Sequence, residues 1–129
     1  MLIVIDTNIL ISSLWTPSGN ASSVISSVIT GKLTPCYDAR IMEEYNDVLK
    51  RPAFKFETWQ TNALIDYITD VGMSVTPDPL PHSGVRHEED LPFYEVAKYC
   101  NAILITGNLK DFPTDPLVCG LSDFCEKYL

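Results

Sequence analysis

Carboxylates recur where the apolar stretches of this chain end. Asp6 follows Leu2 to Ile5 directly, in MLIVIDTN. Glu43 and Glu44 lie in DARIMEEYNDVLKR, where Ile41, Tyr45, Val48 and Leu49 mark one helical face. At ~100° per residue, Glu43 points away from that stripe. Glu44 lies at its edge, within reach of a cleft between helix and sheet. Glu88, Glu89 and Asp90 precede a helix that packs through Phe93, and geometry does not choose between Glu89 and Asp90. Asn108 and Asp111 follow the apolar run AILIT, which ends on Thr106. Each group has a plain structural use. Asp6 or Asn8 can cap a helix, Glu44 can pack its stem, the 88–90 acids suit a helix N-terminus, and Asn108 and Asp111 suit a turn.

Convergence of several such acids on one edge implies more. Packed carboxylates repel, and a buried charge is costly, unless a divalent cation sits among them. Oxygen-only ligands select a hard ion, Mg²⁺ or Mn²⁺, over zinc. The chain offers no histidine cluster, since His82 and His87 lie in or beside a proline-rich loop, and no base for a serine or cysteine triad. The chemistry left is metal-assisted attack of water on a phosphodiester. Thr106 could orient a water or a neighbouring carboxylate.

The elements needed to gather these acids are legible in the sequence. Leu2–Ile5 and AILIT are apolar throughout and β-branched, as strands covered on both faces are. LTPCY, MSVT and PLVC are shorter strand candidates. Helical spacing predicts a helix over ILISSLW, a break at Thr16 to Asn20, and a helix from about Ala21 to Thr30, stopped by Gly31. Asp38 caps the helix that carries Glu44 and ends at Arg51-Pro52. Further helices are expected from about Glu57 to Val71, with Leu64, Ile65 and Ile68 inward, over DLPFYEVAKYC with Pro92 in the first turn, and over LSDFCEKYL. GNLKDFP and PDPLPHSG read as loops. Alternating strands and helices predict an α/β domain, residues 1–129, with a mostly parallel central sheet between helical layers. Ligands of such sheets bind beyond the carboxyl ends of the strands, where Asp6 stands.

Composition narrows the classes. The chain has 129 residues, 46% of them hydrophobic and 20% charged. No apolar run approaches the ~18 residues of a membrane span, and MLIVID is too short for the apolar region of a signal peptide and lacks basic residues, so export is not expected. Cys36, Cys100, Cys119 and Cys125 show neither a C-x-x-C pair nor zinc spacing. Free thiols in a reducing cytoplasm are expected. The net charge of −8 argues against a plain electrostatic nucleic-acid binder. It does not exclude a nuclease, because bound cations restore positive charge at the site. Among nine Lys and Arg, the candidates for phosphate contact are Arg40, Lys50, Arg51, Lys55, Arg86 and Lys110.

IVIDTNILISSL, EEYNDVLKRPAF and EEDLPFYEVAKYCNAILITGNLKDF, in that order, resemble the PIN domain over Met1 to about Phe112. More narrowly, the pattern is similar to the VapC-like toxin ribonucleases of bacterial toxin–antitoxin pairs. The resemblance implies a three-layer α/β/α sandwich and a Mg²⁺- or Mn²⁺-dependent nuclease that cuts single-stranded or structured RNA. It implies Asp6 and Glu44 as ligands, and Asp90 in preference to Glu89 as the third. Asp111 is expected as the fourth acid with Asn108 in support, although many relatives carry Asp where this chain has Asn108. Asn8 and Thr106 would hold ligands or water. The same resemblance implies a cytoplasmic homodimer and a cognate antitoxin protein, with Trp15, Trp59 or Tyr128 as candidates for a dimer face. The alternative is a catalytically weak PIN-fold module that binds RNA or protein. A phosphoaspartate receiver lacks its paired acids and middle-strand Asp here, and a haloacid-dehalogenase-like phosphatase is spoiled by Asn8 in the third place of D-x-D.

Overall fold

The computed structural model describes residues 1–129. Its five strands are β1 (Leu2–Ile5), β2 (Thr34–Tyr37), β3 (Met73–Ser74), β4 (Ile103–Thr106) and β5 (Val118–Gly120). They form one parallel sheet in the order β3-β2-β1-β4-β5. The helices are α1 (Thr7–Trp15), α2 (Asn20–Ile29), α3 (Ala39–Leu49), α4 (Thr58–Val71), α5 (Leu91–Cys100) and α6 (Leu121–Tyr128). The result is the α/β/α sandwich expected from the alternation of elements. The sheet is parallel throughout because every connection between neighbouring strands is a crossover.

The apolar runs do what their composition demands. Ile3, Val4, Ile5, Leu104 and Ile105 are fully buried and join a core cluster of 25 residues. Helix α5 packs across β1, β2 and β4, and α6 packs on β4 and β5. Register matters most between β1 and β4. Ile5 stands opposite Ile105, so the next residues, Asp6 just beyond β1 and Thr106 at the end of β4, stand side by side. The strand order reverses between these two strands, which is where an open α/β sheet forms its ligand crevice.

Local signals set the boundaries. The Asp38 carboxylate accepts the Ile41 N–H at 2.9 Å and starts α3 as expected. Glu57 and Gln60 make a capping box before α4. Gly72 ends α4 at a close approach: a Cβ there would lie 2.6 Å from the Pro35 carbonyl oxygen. Three expectations need adjustment. Strand β3 is only two residues long, because Val75 turns away into the proline-rich segment after one bond from its N–H to Tyr37. The inward face of α4 also includes the buried Thr61 beside Ile65 and Ile68, while Leu64 packs against the core half-buried. The GNLKDFP loop contains a 3₁₀ turn over Leu109–Asp111. All four cysteines are free, with Cys36 buried and the others half-buried. No helix is long and apolar enough to cross a membrane.

Candidate active site

Asp6 is the first residue beyond β1 and also the N-cap of α1. Its Oδ1 accepts the Thr7 N–H at 2.8 Å, and its Oδ2 accepts the Thr106 hydroxyl at 2.7 Å. One carboxylate thus serves as cap and as part of the acidic edge. Thr106 is fully buried, and its hydroxyl also accepts the Asn108 N–H at 3.0 Å. The Thr7 hydroxyl donates to Glu44 Oε2 and ties α1 to α3. Next to Glu44, the Tyr45 hydroxyl donates to the Ile5 carbonyl, fastening α3 to the end of β1. Glu44 is half-buried and Glu43 exposed, as helical geometry requires.

The remaining acids enter the same electrostatic field. Burial is the main influence that raises the Asp6 carboxyl above its ordinary range; the Thr106 and Thr7 bonds oppose the rise, and Asp111 adds to it. Burial likewise raises Glu44, opposed by Thr7 and Arg51 and reinforced by Asp6 and Glu89. Asp90 is pushed up to about 6, first by burial and then by Asp6, Asp111, Glu44 and Glu89. Asp6, Glu44, Asp90 and Asp111 therefore share one region, and Glu89 lies near enough to be felt there while remaining exposed. The backbone of Asp111 is tied on both sides: its N–H donates to Asn108 and its carbonyl accepts from the Arg86 N–H. Its Oδ1 lies 3.7 Å from His87 Nε2.

Asn8 and Asn108 differ in kind. Asn8 Oδ1 is a buried oxygen with no hydrogen-bond partner. Its carboxamide lies against Gly107, where a Cβ would come within 3.2 Å of Asn8 Nδ2. Asn108 is exposed and supports the edge through its backbone, which bonds Thr106 and Asp111. Thr7 had no assigned role in the sequence reading. Its only signal was a hydroxyl one residue after the strand-end acid.

The cations do not form one stripe. Arg40 is committed to two buried carboxylates, Asp38 at 2.7 Å and Glu95 at 2.8 Å, which removes it from the phosphate-contact candidates. Glu95 also accepts the Leu80 N–H at 2.6 Å, so this cluster pins the proline-rich segment. A cavity of about 440 Å³ beside it is lined by Arg40, Thr76 and Leu91 among others, and by none of the four acids. Arg51 pairs with Asp47 at 3.1 Å on the surface. Tyr128 is half-buried against Phe124, so it leaves the dimer-face candidates, while Trp15 and Trp59 are 58% and 70% exposed.

The donor set suits a hard divalent ion. It is all oxygen, it carries mutually raised carboxyls that a cation would relieve, and it includes one orphaned buried oxygen on Asn8. No three His, Cys, Asp or Glu side chains already stand within ligating distance of a common point. Like charges in one region hold each other apart, and drawing them together requires the countercharge.

An uncharacterized protein of Methanocaldococcus jannaschii is 29% identical over 108 residues, covering 82% of this chain and 70% of its own length. No solved structure gives a significant match. The sequence profile of the PIN domain matches residues 2–110, a span that begins with β1 and includes Asp6, Glu44 and Asp90. With that match over most of its length, and with a nuclease-type fold, the chain belongs to the PIN domain family.

Proposed function

We propose that this protein is a metal-dependent endoribonuclease in which Asp6, Glu44, Asp90 and Asp111 hold Mg²⁺ or Mn²⁺. The observation that carries the reading is the set of carboxyls raised by burial and by one another at the β1–β4 edge. When bound, the ion would lower the pKa of a water and offset charge developing on phosphate. The chain's own residues do the positioning. Thr106 and the Thr7 N–H fix the two oxygens of Asp6, and the Thr7 hydroxyl fixes Glu44, so both carboxylates keep one orientation. Asn8 offers its unpartnered oxygen to a ligand or water at the same edge. Asp90, raised to about 6, is largely ionised at neutral pH and loses its charge on mild acidification.

The finer reading is a VapC-like toxin: a cytoplasmic homodimer that cuts single-stranded or structured RNA and is held in check by an antitoxin protein. A second reading, a catalytically weak RNA- or protein-binding module, draws support from the net charge of −8. Incubation of a mixed RNA pool with purified protein separates them. Cleavage with Mn²⁺ that is abolished by EDTA and by Asp6→Asn supports the nuclease. No cleavage above the Asp6→Asn background, with folded protein and several RNAs, supports the binding module.

A further inference from the structure

An aromatic cluster lies at the far end of α1, at the margin of the core, with Phe54 and Phe56 half-buried and Phe56 packed against the core. Trp15 is 58% exposed, with its ring centroid 5.4 Å from Phe54 and 5.9 Å from Phe56. Phe54 and Phe56 stack on each other at 5.8 Å with an interplanar angle of 14°. The short segment that carries these two rings also carries Lys50, Arg51 and Lys55, three of the chain's nine Lys and Arg, in a protein of net charge −8. Lys50 and Lys55 are exposed, and Arg51 keeps more than half its side chain in solvent despite its pairing with Asp47. Lys55 takes a left-handed conformation at φ 56°, which brings the chain around so that Phe56 follows Phe54 on one side.

The patch is joined to the acidic edge by two helices. Helix α1 starts at Thr7, beside Asp6, and ends at Trp15, a rise of ~12 Å. Helix α3 carries Glu44 and ends at Leu49, two residues before Arg51. An exposed indole backed by half-buried rings and bordered by cations is what an unpaired base and its phosphates require of a surface.

We propose that Trp15, Phe54 and Phe56, flanked by Lys50, Arg51 and Lys55, form a stacking platform for single-stranded RNA next to the site of cleavage. The proposal rests on the nuclease reading above for the choice of RNA. Phosphates of a nucleic acid pair with the cations around the rings, whereas a two-fold contact through this patch would set Lys50, Arg51 and Lys55 against their own copies.

The test uses the full chain with Trp59→Phe, so that Trp15 is the only indole, titrated with a single-stranded 12-nucleotide RNA in EDTA. The expected result is quenching of Trp15 fluorescence. By anisotropy of a labelled copy of the same RNA, Trp15→Ala then raises Kd by roughly 5- to 100-fold, the loss of one base stack. Lys55→Glu weakens binding as well, with a shallower salt dependence. Absence of RNA binding by the parent chain, or affinity unchanged in both variants, overturns the platform. So does a dimer that Trp15→Ala splits without altering RNA affinity, which makes the patch a protein interface. The two proposals fail separately. Trp15-dependent binding with no cleavage under any metal keeps the platform and removes the nuclease, whereas metal-dependent cleavage with unchanged KM in Trp15→Ala does the reverse.

Discussion

Thr106 donates its hydroxyl to Asp6 Oδ2 at 2.7 Å, across a sequence separation of 100. The contact exists because β1 and β4 are sheet neighbours in a register that pairs Ile5 with Ile105. It opposes the rise that burial forces on the Asp6 carboxyl and fixes which way that carboxylate faces. Thr106→Val keeps the shape and removes the donor, and it also strips the Asn108 N–H of its acceptor. The expected cost is ~1–3 kcal/mol of stability by denaturant titration. Cleavage or metal affinity should fall by ~10–100-fold. Serine at this position should restore most of the activity.

The acids make the metal-free protein sensitive to pH. In the folded chain Asp90 titrates at about 6, above its ordinary value near ~3.9 in an unfolded chain. The fold therefore binds more protons than the unfolded chain between these values, and its stability falls as pH rises through about 6. Asp6 and Glu44, also raised, add to the same trend. In EDTA, Tm should decline from pH 4.5 to 7.5. Asp90→Asn should flatten that decline and raise Tm at pH 7.5. Millimolar Mn²⁺ should restore wild-type Tm at pH 7.5 but have little effect at pH 4.5.

Much of this edge is legible in sequence because it depends on local patterns. The run Leu2–Ile5 identifies a doubly covered strand, the Ile41/Tyr45/Val48 stripe separates Glu43 from Glu44, and Asp38 marks the start of α3. What sequence leaves open depends on pairing at a distance. The bond from Thr106 to Asp6 follows from strand order, which periodicity does not encode. The bond from Thr7 to Glu44 depends on how α1 meets α3. Glu95 sits on the buried side of α5 beside Phe93 and Val96, where a hydrophobic pattern predicts no charge. Arg40 from another helix and the Leu80 N–H make that position tolerable.

Gly107 tests the role of the asparagine beside it. A Cβ at this position would lie 3.2 Å from Asn8 Nδ2, so Gly107→Ala should displace the Asn8 carboxamide by a few tenths of an ångström. The cost in stability should be below ~1 kcal/mol by denaturant titration. Cleavage should drop several-fold, and Asn8→Ala should make the Gly107→Ala effect disappear in a double-mutant cycle.

Asp115 provides a control away from the acids. It accepts bonds from Lys98 Nζ at 2.8 Å, the Tyr94 hydroxyl at 2.7 Å and the Leu117 N–H at 2.9 Å. Led by Lys98, these contacts overcome burial and lower its carboxyl to about 2. A depressed carboxyl stabilises the fold above its unfolded value near ~3.9, and that contribution is lost as pH falls through about 2. Asp115→Asn should cost ~1–3 kcal/mol at pH 7. The difference from wild type should shrink toward pH 2, with cleavage at 25 °C unchanged.

Asp6, Glu44, Asp90 and Asp111 are proposed to hold a shared divalent cation. Isothermal titration of Mn²⁺ into wild type and Asp6→Asn at pH 7.5 tests this most directly. Wild type should bind Mn²⁺ saturably, with protons released as the raised carboxyls ionise, and Asp6→Asn should lose that binding. Folded wild-type protein that takes up no Mn²⁺, or an Asp6→Asn variant that binds it equally well, would contradict the shared site.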